Sequence, residues 1–231
     1  MKPTTIIALA AACLAAGCGK SGGYEPKPTL EITPAKFTPG EERSIMPLEV
    51  GNQWVFVMQT GNQTRDITIE VVSVELDGDG KTAVIEVNDG QGNVQPSTWY
   101  VDSTGVYQMT ARDNEAYDPP QLLVPFPFET GREFTIEGTG PLPVAGVGPY
   151  RTEGKVLGPQ EIDTAMGDSA VRMSAIAVQS ITTWETDEGQ NVSRATTWWA
   201  PGIGFVRQMQ EFSTPGGKGA VLMKLKSYSF K

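Results

Sequence analysis

The hydrophobic positions of this chain alternate with polar ones over short runs, the period of a half-buried β-strand. Ile67, Ile69 and Val71 alternate, and Val72, Val74 and Leu76 continue the pattern one position out of phase. A β-bulge at Val71-Val72 accounts for that slip, because one extra residue returns the apolar set to the same face. Asp77-Gly78-Asp79-Gly80 then supplies the positive φ angles of a tight hairpin turn, leading into Ala83, Ile85 and Val87. Asn88-Asp89-Gly90-Gln91-Gly92-Asn93 and Asp187-Glu188-Gly189-Gln190-Asn191 predict further loops of this kind. Val221, Met223 and Leu225 mark a closing strand that runs to about Phe230. No window carries the 3.6-residue period of a long amphipathic helix, so the expected fold is all-β and antiparallel throughout.

The pattern also repeats. Pro47-Leu48-Glu49-Val50-Gly51-Asn52-Gln53-Trp54 recurs, 80 residues on, as Pro127-Phe128-Glu129-Thr130-Gly131-Arg132-Glu133-Phe134, with Pro, Glu and Gly identical and an aromatic three residues after the Gly. Thr98-Trp99-Tyr100 with Gly105 recurs as Thr197-Trp198-Trp199 with Gly204, and both copies run into Gln-Met (Gln108-Met109, Gln208-Met209). The expected body, residues 46–231, is therefore two duplicated antiparallel meanders, about 47–112 and 127–212, plus the closing strand. They would form a curved sheet or a half-open β-barrel. The second copy needs about 20 extra residues, expected in the Gly- and Pro-rich stretch 138–149. Asp118 to Phe126 would join the copies, its prolines denying it helix and central-strand pairing.

The N-terminus breaks the pattern. Lys2 precedes eleven small or apolar residues, Ile6 to Ala16, too short a run to span a bilayer but suited to a secretory signal. It ends in Leu14-Ala15-Ala16-Gly17-Cys18, which resembles the bacterial lipobox. That resemblance implies a signal peptide over 1–17, cleavage before Cys18 and acylation of Cys18. Several acyl chains give stable anchoring where a single one does not. Residues 18–45 read as the lipidated cysteine and a flexible Gly/Pro tether, with a reach of roughly 30 Å. Gly19 is not the Asp that resembles an inner-membrane retention signal, so the expected location is the cell envelope, on the outer membrane and facing the periplasm.

Composition narrows the chemistry. Of 231 residues none is histidine, which excludes Ser-His-Asp and Cys-His nucleophile systems and His-ligated metals. The two cysteines, Cys13 and Cys18, both lie in the export segment, so the mature body has no thiol nucleophile and no disulfide. A net charge of −9 argues against a nucleic-acid partner. Asp77-Gly-Asp79-Gly resembles the start of a calcium loop, but Lys81 and Thr82 stand where a ligand and a glycine are needed, so no metal or other cofactor is expected. Asp102, Asp113, Glu115, Glu49 and Glu129 could serve a carboxylate-dependent hydrolase, yet no spacing pairs an acid with a base.

The Pro-Leu-x-x-Gly-Asn-x-Trp opening and Thr-Trp-Trp-Ala-Pro-Gly-Ile-Gly-Phe-Val-Arg resemble a family of uncharacterised bacterial lipoproteins, from about Pro47 to Gln210. More distantly, Trp99, Asp102 and Gly105 resemble a hairpin of the lipoprotein-localisation-factor superfamily. That second resemblance implies a half-open barrel around an apolar, acyl-binding cavity, although its plugging helices find no counterpart in this sequence. The expectation is a non-enzymatic binding protein with no catalytic residues, whose partner beyond the membrane is a lipid or other apolar ligand, or an envelope protein. The candidate binding residues are Trp99, Tyr100, Phe126, Trp198 and Trp199. The alternatives are an envelope assembly accessory whose concavity is filled by its own side chains and, remotely, the hydrolase.

Overall fold

The structure, a computed structural model, describes residues 29–31, 45–111, 114–142, 146–166 and 169–231. Cys18 and most of the expected signal and tether lie outside the described residues. Thirteen strands follow one another: β1 (Thr29–Glu31), β2 (Gln53–Thr60), β3 (Gln63–Asp77), β4 (Gly80–Asn88), β5 (Val94–Val101), β6 (Gly105–Thr110), β7 (Ala116–Pro125), β8 (Glu133–Leu142), β9 (Gly146–Met166), β10 (Ser169–Thr186), β11 (Gly189–Ala200), β12 (Gly204–Thr214) and β13 (Gly217–Ser229). There is no α-helix among the described residues.

From β2 to β13 each strand pairs antiparallel with the next, and β13 pairs back onto β2 through Val221↔Thr60 to Ser229↔Gln53. The result is a closed twelve-stranded meander barrel, in which closure removes most of the free sheet edge. The expected all-β meander is thus present, and closure goes one step further than a curved sheet. One pairing departs from the antiparallel rule. β11 follows β10 only from Ile176 on, which leaves the Ala170–Arg172 edge free, and β1 pairs with it in parallel.

Local chemistry explains the elements. In β3 the register to β4 slips between Val71 and Ser73, leaving Val72 as the bulged residue, as the phase slip in the sequence requires. Asp77 pairs with Gly80 across a two-residue turn, and Gly78 takes the left-handed φ of +56°. Trp54, Phe56 and Met58 of β2 and Val221, Met223 and Leu225 of β13 all point inward and are buried.

The two Pro-x-x-x-Gly segments make the same turn. Gly51 N–H donates to the Val71 carbonyl at 2.8 Å and Val71 N–H to the Asn52 carbonyl at 2.9 Å. Gly131 and Val156 repeat this at 2.8 Å, with Val156 N–H donating to Arg132 at 2.9 Å. Gly51 and Gly131 have φ of +86° and +89°, a region closed to most side chains, which accounts for the shared glycine. Each turn opens a run of six strands, β2–β7 and β8–β13.

Two expectations are corrected. The Asp118–Phe126 stretch is not an irregular connection, because Ala116 to Pro125 is strand β7, paired with β6 from Gly105↔Pro125 to Thr110↔Ala116 across two register shifts. Its prolines act on the other edge, where the ladder to β8 is the single bridge Asp118↔Thr139. Asp118-Pro119 and Phe126-Pro127 are cis. The extra length of the second half is not concentrated in 138–149, which lies largely within the β8–β9 hairpin. It resides mainly in β9 and β10, of 21 and 18 residues against 15 and 9 for β3 and β4.

Candidate functional site: the barrel cavity

In a meander barrel alternate turns lie at opposite ends. One end gathers the two Pro-x-x-x-Gly turns, the Ala200–Gly204 turn and the tip of the β9–β10 hairpin. It is filled by the buried side chains of Ile45, Met46 and Leu48, and by Trp54, whose indole N–H donates to the Ile203 carbonyl at 2.6 Å. Thr164 of β9 reaches across to donate to the Leu225 carbonyl at 2.9 Å. The other half of the lumen holds a cavity of about 370 Å³ to which every ring strand except β2 contributes a wall. That volume lies in the range of small-molecule sites.

Two indoles form its floor. Trp99 on β5 and Trp199 on β11 come from diametrically opposite strands of the ring, yet their ring centroids are 6.3 Å apart, so the pair spans the lumen. Phe205 packs against Trp199 at 5.7 Å and Phe56 against Phe205 at 4.9 Å, which closes the lumen below them. Each indole is held by a hydroxyl two residues earlier on the same face of its strand. Trp99 Nε1–H donates to Ser97 Oγ at 3.2 Å and Trp199 Nε1–H to Thr197 Oγ1 at 3.0 Å. The two N–H groups are satisfied inside the wall, and the Trp99 ring, half-buried, remains in contact with the cavity.

The upper wall carries amides and hydroxyls. Gln108 Nε2 donates to Ser97 Oγ at 3.1 Å, and Ser97 Oγ donates to the Thr110 carbonyl at 2.6 Å. On the opposite side Gln208 Nε2 donates to Gln210 Oε1 at 3.2 Å, and Gln210 Nε2 to Ser193 Oγ at 2.9 Å. Thr152 and Thr182 share a hydroxyl–hydroxyl bond of 2.8 Å. No charged side chain lines the cavity among the described residues. Tyr150 contributes a phenol whose pKa burial and the neighbouring Asp118 carboxylate push up to about 12, so it stays neutral at any ordinary pH.

Of the five residues singled out from the sequence, Trp99 and Trp199 meet on the cavity floor and the other three do not line it. Tyr100 turns to the outer wall, where its ring lies over Gly80 and packs on Tyr107 at 6.1 Å. Trp198 also faces outward, covered by the Arg207 guanidinium 5.0 Å above its ring and bonded to Gln160 Oε1 at 3.0 Å. Phe126 is buried at the filled end against Phe128 at 5.0 Å, sealing the junction between the two six-strand runs. The sequence match aligned Trp99 with Trp198, whereas the inward pair is Trp99 and Trp199. Each inward Trp has a hydroxyl two positions before it, Ser97 and Thr197, but Thr196 stands in the same relation to the outward Trp198, so this spacing does not fix the phase. Gln95, Gln121 and Gln210 carried no motif, and Gln108 and Gln208 stood out only as part of the repeated Gln-Met, so none was legible as a site.

The carboxylates do not converge. Asp102 is occupied in its own turn, accepting from Thr104 N–H at 2.7 Å and Gly105 N–H at 3.1 Å. Glu49 and Glu129 sit exposed in the two matched turns, Asp113 lies outside the described residues, and none of the described carboxylates lines the cavity.

No family model matches the chain, and no curated protein matches it. Among solved structures, the chain is similar to a lipoprotein from Parabacteroides distasonis, with a TM-score of 0.55 and 11% identity, over 80% of this chain and 98% of that one. It also aligns with an exported protein of YmcC-like fold from Bacteroides fragilis (TM-score 0.45, 10% identity, 80% and 98% covered) and with the lipoprotein YmcC from Escherichia coli (0.38, 8%, 83% and 89%). At such identities the first likeness establishes a shared all-β barrel fold.

Proposed function

We propose that this chain is an exported envelope lipoprotein, anchored through Cys18 to the outer membrane and facing the periplasm, whose barrel binds a small molecule without transforming it. The observation that carries the reading is the cavity: a lumen walled by eleven of the twelve ring strands, floored by two indoles and lined by uncharged groups among the described residues. The reading is supported by the lipobox-like Leu14-Ala15-Ala16-Gly17-Cys18 and by the likeness of the barrel to the Parabacteroides distasonis lipoprotein. The outer wall carries ion pairs, among them Lys155–Glu133 at 2.9 Å, Arg172–Asp163 at 2.9 Å and Lys226–Asp66 at 2.6 Å, where a membrane-crossing barrel would carry an apolar belt. Ile45, Met46 and Leu48, which follow the expected tether, are buried at the filled end, so the tether would join the barrel on the side opposite the cavity. The close correspondence of the two Pro-x-x-x-Gly turns supports an origin by duplication of a six-strand meander.

The test is the native mass of the full chain isolated from the cell envelope, compared with its denatured mass. A small molecule lost on denaturation is expected. It should be absent from Ala195→Trp, which fills the cavity from β11. Equal native and denatured masses would overturn the reading in favour of an envelope accessory with an unoccupied lumen.

A further inference from the structure

The chemistry of the cavity wall selects among ligands. An acyl chain would need a continuous apolar lining, and although Ile67, Ile69, Ile85, Leu122, Leu123 and Met223 supply apolar stretches of wall, amides interrupt them. Here the half-buried side chains of Gln95 and Gln121 make no hydrogen bond with a described residue, and the Oε1 atoms of Gln108 and Gln208 accept none. Covering each of these groups with hydrocarbon would strip it of water and return nothing. A site built this way rejects the apolar analogue of its ligand far more strongly than it rejects a change in size. A charged ligand fares no better, because no ion of opposite sign lines the cavity among the described residues and a partly desolvated charge needs one.

The groups that remain describe a complementary molecule. Amides on β5, β6, β7 and β12 offer donors and acceptors from several sides at once. Below them the Trp99 ring gives a flat apolar platform whose N–H is already spent on Ser97. A ligand that satisfies both is rigid, uncharged, ringed with hydroxyl or amide groups, and apolar on one face. We propose that the cavity binds a neutral saccharide of one or two rings, its hydroxyls paired with Gln95, Gln108, Gln121 and Gln208 and one sugar face laid on Trp99. This rests on the ligand-binding reading above and deepens it.

The test is a titration of the full chain, followed by tryptophan fluorescence, with neutral sugars (glucose, galactose, N-acetylglucosamine, maltose and N,N′-diacetylchitobiose), with galacturonate and with 1-dodecanol. At least one neutral sugar is expected to give a saturable change. It should bind at least tenfold more weakly to Gln108→Leu and to Gln208→Leu, two variants examined separately so that a folding defect in one does not decide the outcome. The urea midpoint of each should stay near that of the parent. Saturable binding of 1-dodecanol that strengthens in the Leu variants would overturn the saccharide and leave a carrier of apolar ligands. Binding of galacturonate alone, or of none of the probes by a chain that still carries a native mass excess, would overturn it while the ligand-binding reading stands. Failure of both the titration and the mass comparison would remove the two together.

Discussion

Tyr150 shows how a single side chain at the cavity records its surroundings. Its phenol packs edge-on against Tyr117 at 5.8 Å and donates to the Pro119 carbonyl at 3.4 Å, next to Asp118. Burial, with the Asp118 charge adding to it, lifts its pKa from the ordinary 10 to about 12. The unfolded chain therefore gives up this proton near pH 10 while the folded chain keeps it. The stabilisation is fully present below pH 10 and is lost as pH rises from 10 to 12. Tyr150→Phe removes that linkage and only a long hydrogen bond. The urea midpoints of parent and variant should differ by a constant amount up to pH 9.5 and then converge or cross as the parent alone loses stability from this group. A constant difference through pH 11.5 would show that the phenol is not sheltered.

Among the strands, the weak place is the boundary between β7 and β8. The other ring neighbours share ladders of at least three paired positions, whereas β7 and β8 share only Asp118↔Thr139. Residues of both strands, among them Tyr117, Leu123 and Leu142, line the cavity beside that seam. Few ladder hydrogen bonds mean a low local opening free energy. Amide hydrogen exchange should accordingly be faster in the middle of β7 and on the β7-facing edge of β8 than along β10 and β11, which share eleven paired positions from Ile176↔Trp199 to Thr186↔Gly189. Equal protection at the two places would mean that the prolines of β7 cost the barrel nothing.

The same strand marks the limit of what the sequence discloses. Period-two alternation gave β3, β4 and β13 and even located the Val72 bulge, because there one face is buried and the other solvated. Prolines suggested an irregular linker at Asp118–Phe126, since the pattern could not show that a closed ring would accept a strand with an interrupted ladder on one edge and a single bridge on the other. The two matched turns were legible as a repeat, but not that they gather at one filled end. The cavity was half legible, because Trp is conspicuous wherever it stands while Gln on a strand looks like surface. Adjacent Trp198 and Trp199 could be assigned to opposite faces, but which one faces inward follows from the unbroken register of β11 on β10, which puts Ser193, Ala195, Thr197 and Trp199 on the lumen side.

At the scale of the whole molecule, closure is what turns these local features into a site. Twelve strands enclose more space than the buried aliphatic residues fill, and the β9–β10 hairpin with the Ile45–Leu48 segment takes up only one end. The space left over is bounded by the Trp99–Trp199 pair, which bridges the ring. Ligand binding in the lumen, rather than on the outer wall, is therefore the central claim, and the five tryptophans divide cleanly around it. Trp99 and Trp199 touch the cavity; Trp54, Trp184 and Trp198 do not. The most direct measurement is the fluorine NMR spectrum of the 5-fluorotryptophan-labelled full chain, with its five resonances assigned by single Trp→Phe variants. The spectrum would be recorded before and after adding the small molecules extracted from the envelope-isolated protein. The expected result is that the Trp99 and Trp199 resonances shift together while Trp54, Trp184 and Trp198 stay in place. A shift confined to Trp198, or no shift at Trp99 and Trp199, would contradict it.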